Sequence, residues 1–396
     1  MGNTTSEEPK ETRAKPKNNQ LLTKIYIRKA EVIKMRQHLM NKIEKFASQQ
    51  LTELKNLEPK AAKLDFQEQV VQDLHSIRES QVKYLNYFKN LIEDLIPKPA
   101  IRVQSTPTTV VSASEDNSIR VWDLFTGEQI RKLKGHPQAV NSIAISRNKE
   151  FLVSGSDDKT VAVWSFSTGQ KIQVLRGHTS KVFSVGISNN EKLIVSGSGD
   201  GSIIVWNFGT QENRVFKGHT EGVWSVAVSN KDEFLVSGSK DCTLRVWNLE
   251  TGQQTHVLKG HTDLVFSVDI SSTEKFLASG GADNCVRLWE LSTGKQIAVL
   301  EGKTRVLSVC ISSDEKFLVV GEHKKRLKLR NFATGEVVGV FKGHTGEALS
   351  ACISIDDSYV ASGSEDHLIR VWSTLTGEQV KVLQGHSGRV WTVKLI

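Results

Sequence analysis

The chain has 396 residues, 38 % of them hydrophobic and 24 % charged, which is enough to bury one large core or two smaller ones and excludes wholesale disorder. Of 29 glycines only Gly2 precedes Gly127, and of seven prolines only Pro137 follows Pro107, so two segments of different build are joined. The net charge of +8 divides unevenly: residues 1–99 carry 18 Lys and Arg against 13 Asp and Glu, while residues 100–396 carry 34 against 31. The four cysteines, Cys242, Cys285, Cys310 and Cys352, form no C-x-x-C pair and have no close histidine, which excludes the usual zinc spacings and a disulfide framework. A reducing compartment and no cofactor are expected. No apolar run reaches the ~20 residues needed to cross a bilayer, so a cytoplasmic chain that does not span a membrane is expected. A basic stripe and a recognisable nucleic-acid module are both missing, so no specific nucleic-acid partner is expected.

In chain order, residues 1–19 read as a flexible basic tail. Met1-Gly2-Asn3-Thr4-Thr5-Ser6 matches the signature for myristoylation of Gly2. One acyl chain holds a membrane only marginally, so Lys10, Arg13, Lys15 and Lys17 would have to assist on an anionic leaflet, making the protein peripheral there. Residues 20–96 lack glycine and are divided by Pro59, which predicts two helices over 20–57 and 60–96, each roughly 55 Å long at 1.5 Å per residue. Ile25, Val32, Leu39 and Phe46 recur every seven residues in the first, and Leu64, Val71, Leu85 and Ile92 lie on one line of the second. Equal lengths about a proline favour an antiparallel hairpin; the same seams would serve a homo-oligomer or a partner helix. Pro97, Pro99 and Pro107 stiffen the linker 97–107.

From residue 108 to 396 one unit recurs every 41 or 42 positions. A representative copy reads GHTSKVFSVGIS, NNEKLIVSGSGD, GSIIVWN. Alternating apolar and polar residues between Gly, Asp, Asn and Ser turns predict four short strands per unit. The Gly-His pairs and closing tryptophans resemble the WD-repeat β-propeller family, which implies an all-β seven-bladed ring preceded by the helical segment. One blade cannot bury both its faces, so blades are stable only when stacked around a closed ring.

The resemblance also implies a hydrogen-bonded network in each blade, joining the Gly-His histidine, a serine of the second strand, an aspartate in the following tight turn and a tryptophan of the third strand. Five full sets match: His136, Ser154, Asp158 and Trp164; His178, Ser196, Asp200 and Trp206; His219, Ser237, Asp241 and Trp247; His261, Ser279, Asp283 and Trp289; and His344, Ser362, Asp366 and Trp372. The first blade has Ser112, Asp116 and Trp122 without an upstream histidine, while His386 near the C-terminus has no blade after it. One deficit matches one surplus. The strand within 388–396 is therefore expected to close the ring as the innermost strand of the first blade, in competition with residues 101–104. The Ser-His-Asp content mimics a catalytic triad, but a nucleophile copied into six blades is implausible, and the sets are read as structural.

Between Gly302 and Phe341 all four partners fail together, with Lys303, Val320, Lys324 and Arg330 at their positions. Lys324, Lys325, Arg326, Lys328 and Arg330 form a basic cluster, read either as a solvated edge or as a docking patch for an acidic peptide, a phosphate or an anionic head group. The resemblance further implies that protein or peptide partners bind on the face bearing the tight turns. That places Asn141, Phe183, Trp224, Phe266, Leu307, Leu349 and Trp391 near the central opening, with Lys181, Lys240 and Arg305 among the charges around them. The expected function is a non-enzymatic scaffold or adaptor, tethered to a membrane if Gly2 is acylated. A G-protein-β-like signalling subunit is the first alternative, and an enzyme with a central-channel site a remote one.

Overall fold

The computed structural model describes residues 109–396 except Gln211; the tail, the two expected helices and the linker, with Gly2 and residues 101–104, lie outside the described residues. The described chain runs through 28 strands, from β1 (Thr109–Ser114) to β28 (Val390–Leu395), in seven four-stranded antiparallel sheets. Six sheets take four consecutive strands each. The seventh has the order β28, β1, β2 (Ser118–Asp123), β3 (Gln129–Lys134), so the last strand of the chain is the innermost strand of blade one.

The blades are short because the pattern is short. The second strand of each blade, about six residues long, stops at a turn with a residue in the left-handed region. Asn117, Lys159, Cys242, Asn284, Lys325 and His367 take that conformation between the second and third strands, and Gly201 does so in blade three. Alternate residues then face the two neighbouring blades. Seven apolar clusters result, and one of them joins Val110, Trp122 and Leu124 of blade one to Val371 and Leu383 of blade seven. In blade two the Ser-Gly-Ser stretch of the second strand uses its glycine for this stacking: a Cβ on Gly155 would lie 2.6 Å from Val182 of the next blade.

The innermost strands are β4 (Val140–Ile145), β8 (Val182–Ile187), β12 (Val223–Val228), β16 (Val265–Ile270), β20 (Val306–Ile311), β24 (Ala348–Ile353) and β28. A serine on each of blades two to seven stitches its strand to the next. The hydroxyls of Ser142, Ser184, Ser225, Ser267, Ser308 and Ser350 accept the N–H groups of Val185, Val226, Val268, Val309, Ala351 and Val393 at 3.0–3.2 Å. The last of these bonds reaches β28, so the C-terminal strand is held from blade seven as well as from β1.

Closure itself is a backbone ladder. Val110 to Ala113 pair with Leu395 to Thr392, and Thr109 and Ile396 exchange both backbone bonds, at 3.2 and 3.0 Å. Val390, Val393 and Leu395 are buried in the cluster between blades one and seven.

Candidate protein-interaction surface

The polar sets form one motif. His136 Nε2 lies 2.7 Å from the Ser154 hydroxyl, His136 Nδ1 lies 2.6 Å from Asp158, and the Trp164 indole N–H donates to the same hydroxyl at 2.7 Å. The carboxylate accepts a hydrogen bond from Nδ1–H, which leaves Nε2 as an acceptor for the serine O–H, so each group is satisfied. The same bonds recur around Ser196, Ser237 and Ser279, though His178 to Asp200 is longer at 3.3 Å. In blade one His386 completes the set, 2.8 Å from Ser112 and 2.9 Å from Asp116, with Trp122 donating to Ser112. Blade seven departs from the pattern: His344 bonds Ser362 and Asp366, but the buried Trp372 indole N–H has no partner among the described residues. Nothing in the structure explains that exception.

These sets have the connectivity of a catalytic triad and cannot act as one. Each serine at the centre is 0 % exposed, so no substrate carbonyl can approach its oxygen. Burial is the largest influence on His178, His261 and His386 and holds them below the ordinary histidine range, so these rings stay neutral near pH 7. For Asp158, burial pushes the carboxyl up, but hydrogen bonds from His136 and Thr160 outweigh it and bring the value down to about 2. Asp116, Asp200, Asp241, Asp283 and Asp366 are lowered by the same competition.

The irregular blade six keeps the turn but not the network. Lys325 holds the left-handed position, and Val320 fills the serine site as a buried apolar residue. Charges refill the space. Buried Glu322 accepts from Lys328 at 2.6 Å, and buried Arg330 donates to the Gly335 carbonyl at 2.9 Å. Lys328 and Arg330 therefore leave the expected surface cluster, because both are consumed inside the blade. Lys324, Lys325 and Arg326 stay exposed, and the neighbouring His323 reaches Glu347 of blade seven at 2.7 Å.

On the same face the backbone brings each loop that enters an inner strand beside the tight turn of its blade. Gly199 N–H bonds the Lys181 carbonyl, and Lys240 N–H bonds the Gly222 carbonyl. Phe183, Trp224, Phe266, Leu307, Leu349 and Trp391, with Asn141, are half-buried on successive inner strands. Three of them form a continuous aromatic arc across blades three, four and five. Phe183 and Trp224 stack with centroids 4.3 Å apart, and Trp224 meets Phe266 edge-on at 5.5 Å. They pack on adjacent blades and still keep exposed surface.

The charges of this face are paired between and within blades. Lys181 reaches Asp157 at 2.5 Å, Lys240 reaches Glu221 at 3.4 Å, and Arg389 reaches Glu365 at 2.8 Å. Arg305 is exposed beside the Lys324 turn, where its carbonyl accepts the His323 N–H. The face therefore presents an aromatic centre inside a rim of weak, screened ion pairs.

One group is missing from the sequence reading. The fifth residue of the inner strand is Ala144, Gly186 and Ala227 in blades two to four but Asp269, Cys310, Cys352 and Lys394 in blades five, six, seven and one. Burial raises the Asp269 carboxyl to about 6 even though it accepts the Ile311 N–H at 2.7 Å. Burial also raises Cys352 to about 11 and Cys310 well above the ordinary thiol range. These thiols are poor nucleophiles, and no group of three potential metal ligands occurs among the described residues.

A family model described as "WD domain, G-beta repeat" matches residues 100–123, 127–165, 169–207, 210–248, 252–290, 294–331 and 335–373. The chain belongs to the WD domain, G-beta repeat family. Its sequence repeat is offset from the blade by one strand: the window 127–165 opens on β3 and continues through three strands of blade two. That offset leaves an unmatched outer and inner strand after residue 373, and the inner one is β28. Two curated relatives, both named Lissencephaly-1 homolog, are similar over short stretches. The one from Monosiga brevicollis is 44 % identical over 52 residues, 13 % of each chain. The one from Caenorhabditis briggsae is 51 % identical over 49 residues, 12 % of this chain and 13 % of that protein, so the chain spans about an eighth of either relative's length. Among the described residues no helix is long and apolar enough to cross a membrane.

Proposed function

We propose that this chain is a non-enzymatic interaction scaffold that captures protein partners on the tight-turn face of its propeller. The observation that carries the reading is the Phe183, Trp224 and Phe266 arc, because contiguous half-exposed aromatics supply large contact area at little entropic cost. Leu307 and Trp391 extend the apolar floor, while Lys181, Lys240 and Arg305 supply cations that a partner carboxylate can recruit at the expense of weak surface pairs. The burial of every tetrad serine supports a role without catalysis. The exposed Lys324, Lys325 and Arg326 turn would extend the same face toward an acidic segment of the partner.

The reading includes reversible membrane tethering through Gly2 and the basic tail, supported by the Met1-to-Ser6 signature. It also includes self-association or partner-helix capture through residues 20–96, supported by their heptads. Quantitative affinity capture of the full chain and of a Trp224→Ala, Phe266→Ala variant tests the central part. A discrete set of captured proteins should disappear with the arc while the melting temperature holds; an unchanged set refutes it. Membrane partitioning of Gly2→Ala identical to that of the parent would reject the tether.

A further inference from the structure

The outer strand of a blade pairs on one side only and presents its other edge to solvent, which makes it a template for another strand. Six of the seven outer strands carry at least one Lys or Arg along that edge, for example Arg131 and Lys132 in β3. The exception is β23 (Val337–Phe341) of blade six, sequence VVGVF, which pairs with β22 (Arg326–Asn331) and carries no polar side chain. Val337, Val338 and Val340 are all exposed. Seven of the twelve exposed large apolar side chains of the described chain lie on β23 and on the outer strands of the two adjacent blades, β19 (Lys295–Glu301) and β27 (Gln379–Leu383), so this sector of the rim is unusually apolar.

Two further features say what pairs there. At Gly339, the centre of the strand, a Cβ would meet nothing closer than Leu329 at 3.5 Å, an ordinary contact, and the backbone is not left-handed. Neither packing nor conformation within the blade calls for glycine, whereas close approach of another strand does. The flanking charges are opposite and equidistant: exposed Glu336 and Lys342 each lie three residues from Gly339. Antiparallel pairing of the strand with itself about Gly339 sets Glu336 of one copy opposite Lys342 of the other, twice, and valine or phenylalanine opposite valine or phenylalanine between them.

We propose that β23 is a dimerisation edge whose occupant is a second copy of this chain, joined antiparallel about Gly339 into a continuous eight-stranded sheet. This surface lies on the rim and does not depend on the aromatic arc. The test is sedimentation of the full chain with Glu336→Lys, Lys342→Glu and the two combined. Each single reversal sets like charges opposite at both ends and should weaken dimerisation about tenfold; the combined swap restores opposite charges and should restore the parent's affinity. Under oxidation, Gly339→Cys should form a disulfide dimer that the parent does not. A chain that stays monomeric overturns the proposal, and protection of the β23 amides from exchange in that monomer would show that a segment of the same chain covers the edge. A dimer indifferent to all three charge variants also overturns it, placing self-association elsewhere, as in residues 20–96.

Discussion

Removing residues 385–396 takes away β28 and His386 together, and its cost can be worked from the structure. Val390, Val393 and Leu395 lose their burial, at about 1.5–3 kcal/mol each. The deletion strips Asp116 and Ser112 of their histidine bonds, adding about 1–3 kcal/mol for each, although Ser118 still donates to Asp116 and Trp122 to Ser112. The sum, about 7–15 kcal/mol, matches the whole stability of an ordinary domain, about 5–15 kcal/mol. The truncated chain should therefore lose its single cooperative transition in calorimetry and urea titration, and a peptide spanning 385–396, added in excess, should restore it. An unchanged melting temperature and an unchanged denaturant slope would refute the closure argument.

Other outcomes are as specific. Ser154→Ala orphans both the Trp164 indole and His136, whereas Ser362→Ala orphans only His344 because Trp372 already lacks a partner; paired urea titrations should find the first costlier by about 1–3 kcal/mol. Acid should destabilise the ring in two stages. His178, His261 and His386 have folded values below the 6.5 of the unfolded chain, so their contribution erodes as pH falls below about 6.5; the tetrad aspartates lie below 3.8, so theirs is intact above about 4 and is lost beneath it. Asp269, raised to about 6, runs the other way and softens the first stage. Thermal melts from pH 7 to 2 should decline gently and then steeply, and a flat profile down to pH 2.5 contradicts the assignment. Reversing Lys324, Lys325 and Arg326 to glutamate should leave the melting temperature almost unmoved, since all three are exposed; a large drop would mean that the turn is structural.

The ring and its networks were legible because their causes repeat. A buried histidine needs a serine and an aspartate at fixed offsets, so five copies announce themselves, and a lone His386 matched to a blade without histidine indicates how the chain closes. Blade six was legible as an exception but not in its contents. Lys328 and Arg330 look like surface cations until Glu322 and the Gly335 carbonyl are found beside them, because a substitution at one position creates a charge that another position answers. Pairings between blades were hidden for a different reason. Phe183, Trp224 and Phe266 stand 41 and 42 residues apart, and Lys181 and Asp157 are 24 apart, distances at which only the rotation from blade to blade decides whether side chains meet. The Asp269, Cys310, Cys352 and Lys394 group had one readable signal, the replacement of small residues by functional ones at a single inner-strand position.

The most direct measurement of the scaffold reading is site-specific photo-crosslinking in cells. A photoreactive residue at Lys240 stands beside the arc, and one at Ile172 stands on the exposed outer strand of blade two. Discrete protein adducts are expected from position 240, lost on adding Trp224→Ala and Phe266→Ala, and none of the same adducts from position 172. Adducts from the rim alone, or adducts at 240 that survive loss of the aromatics, would contradict it.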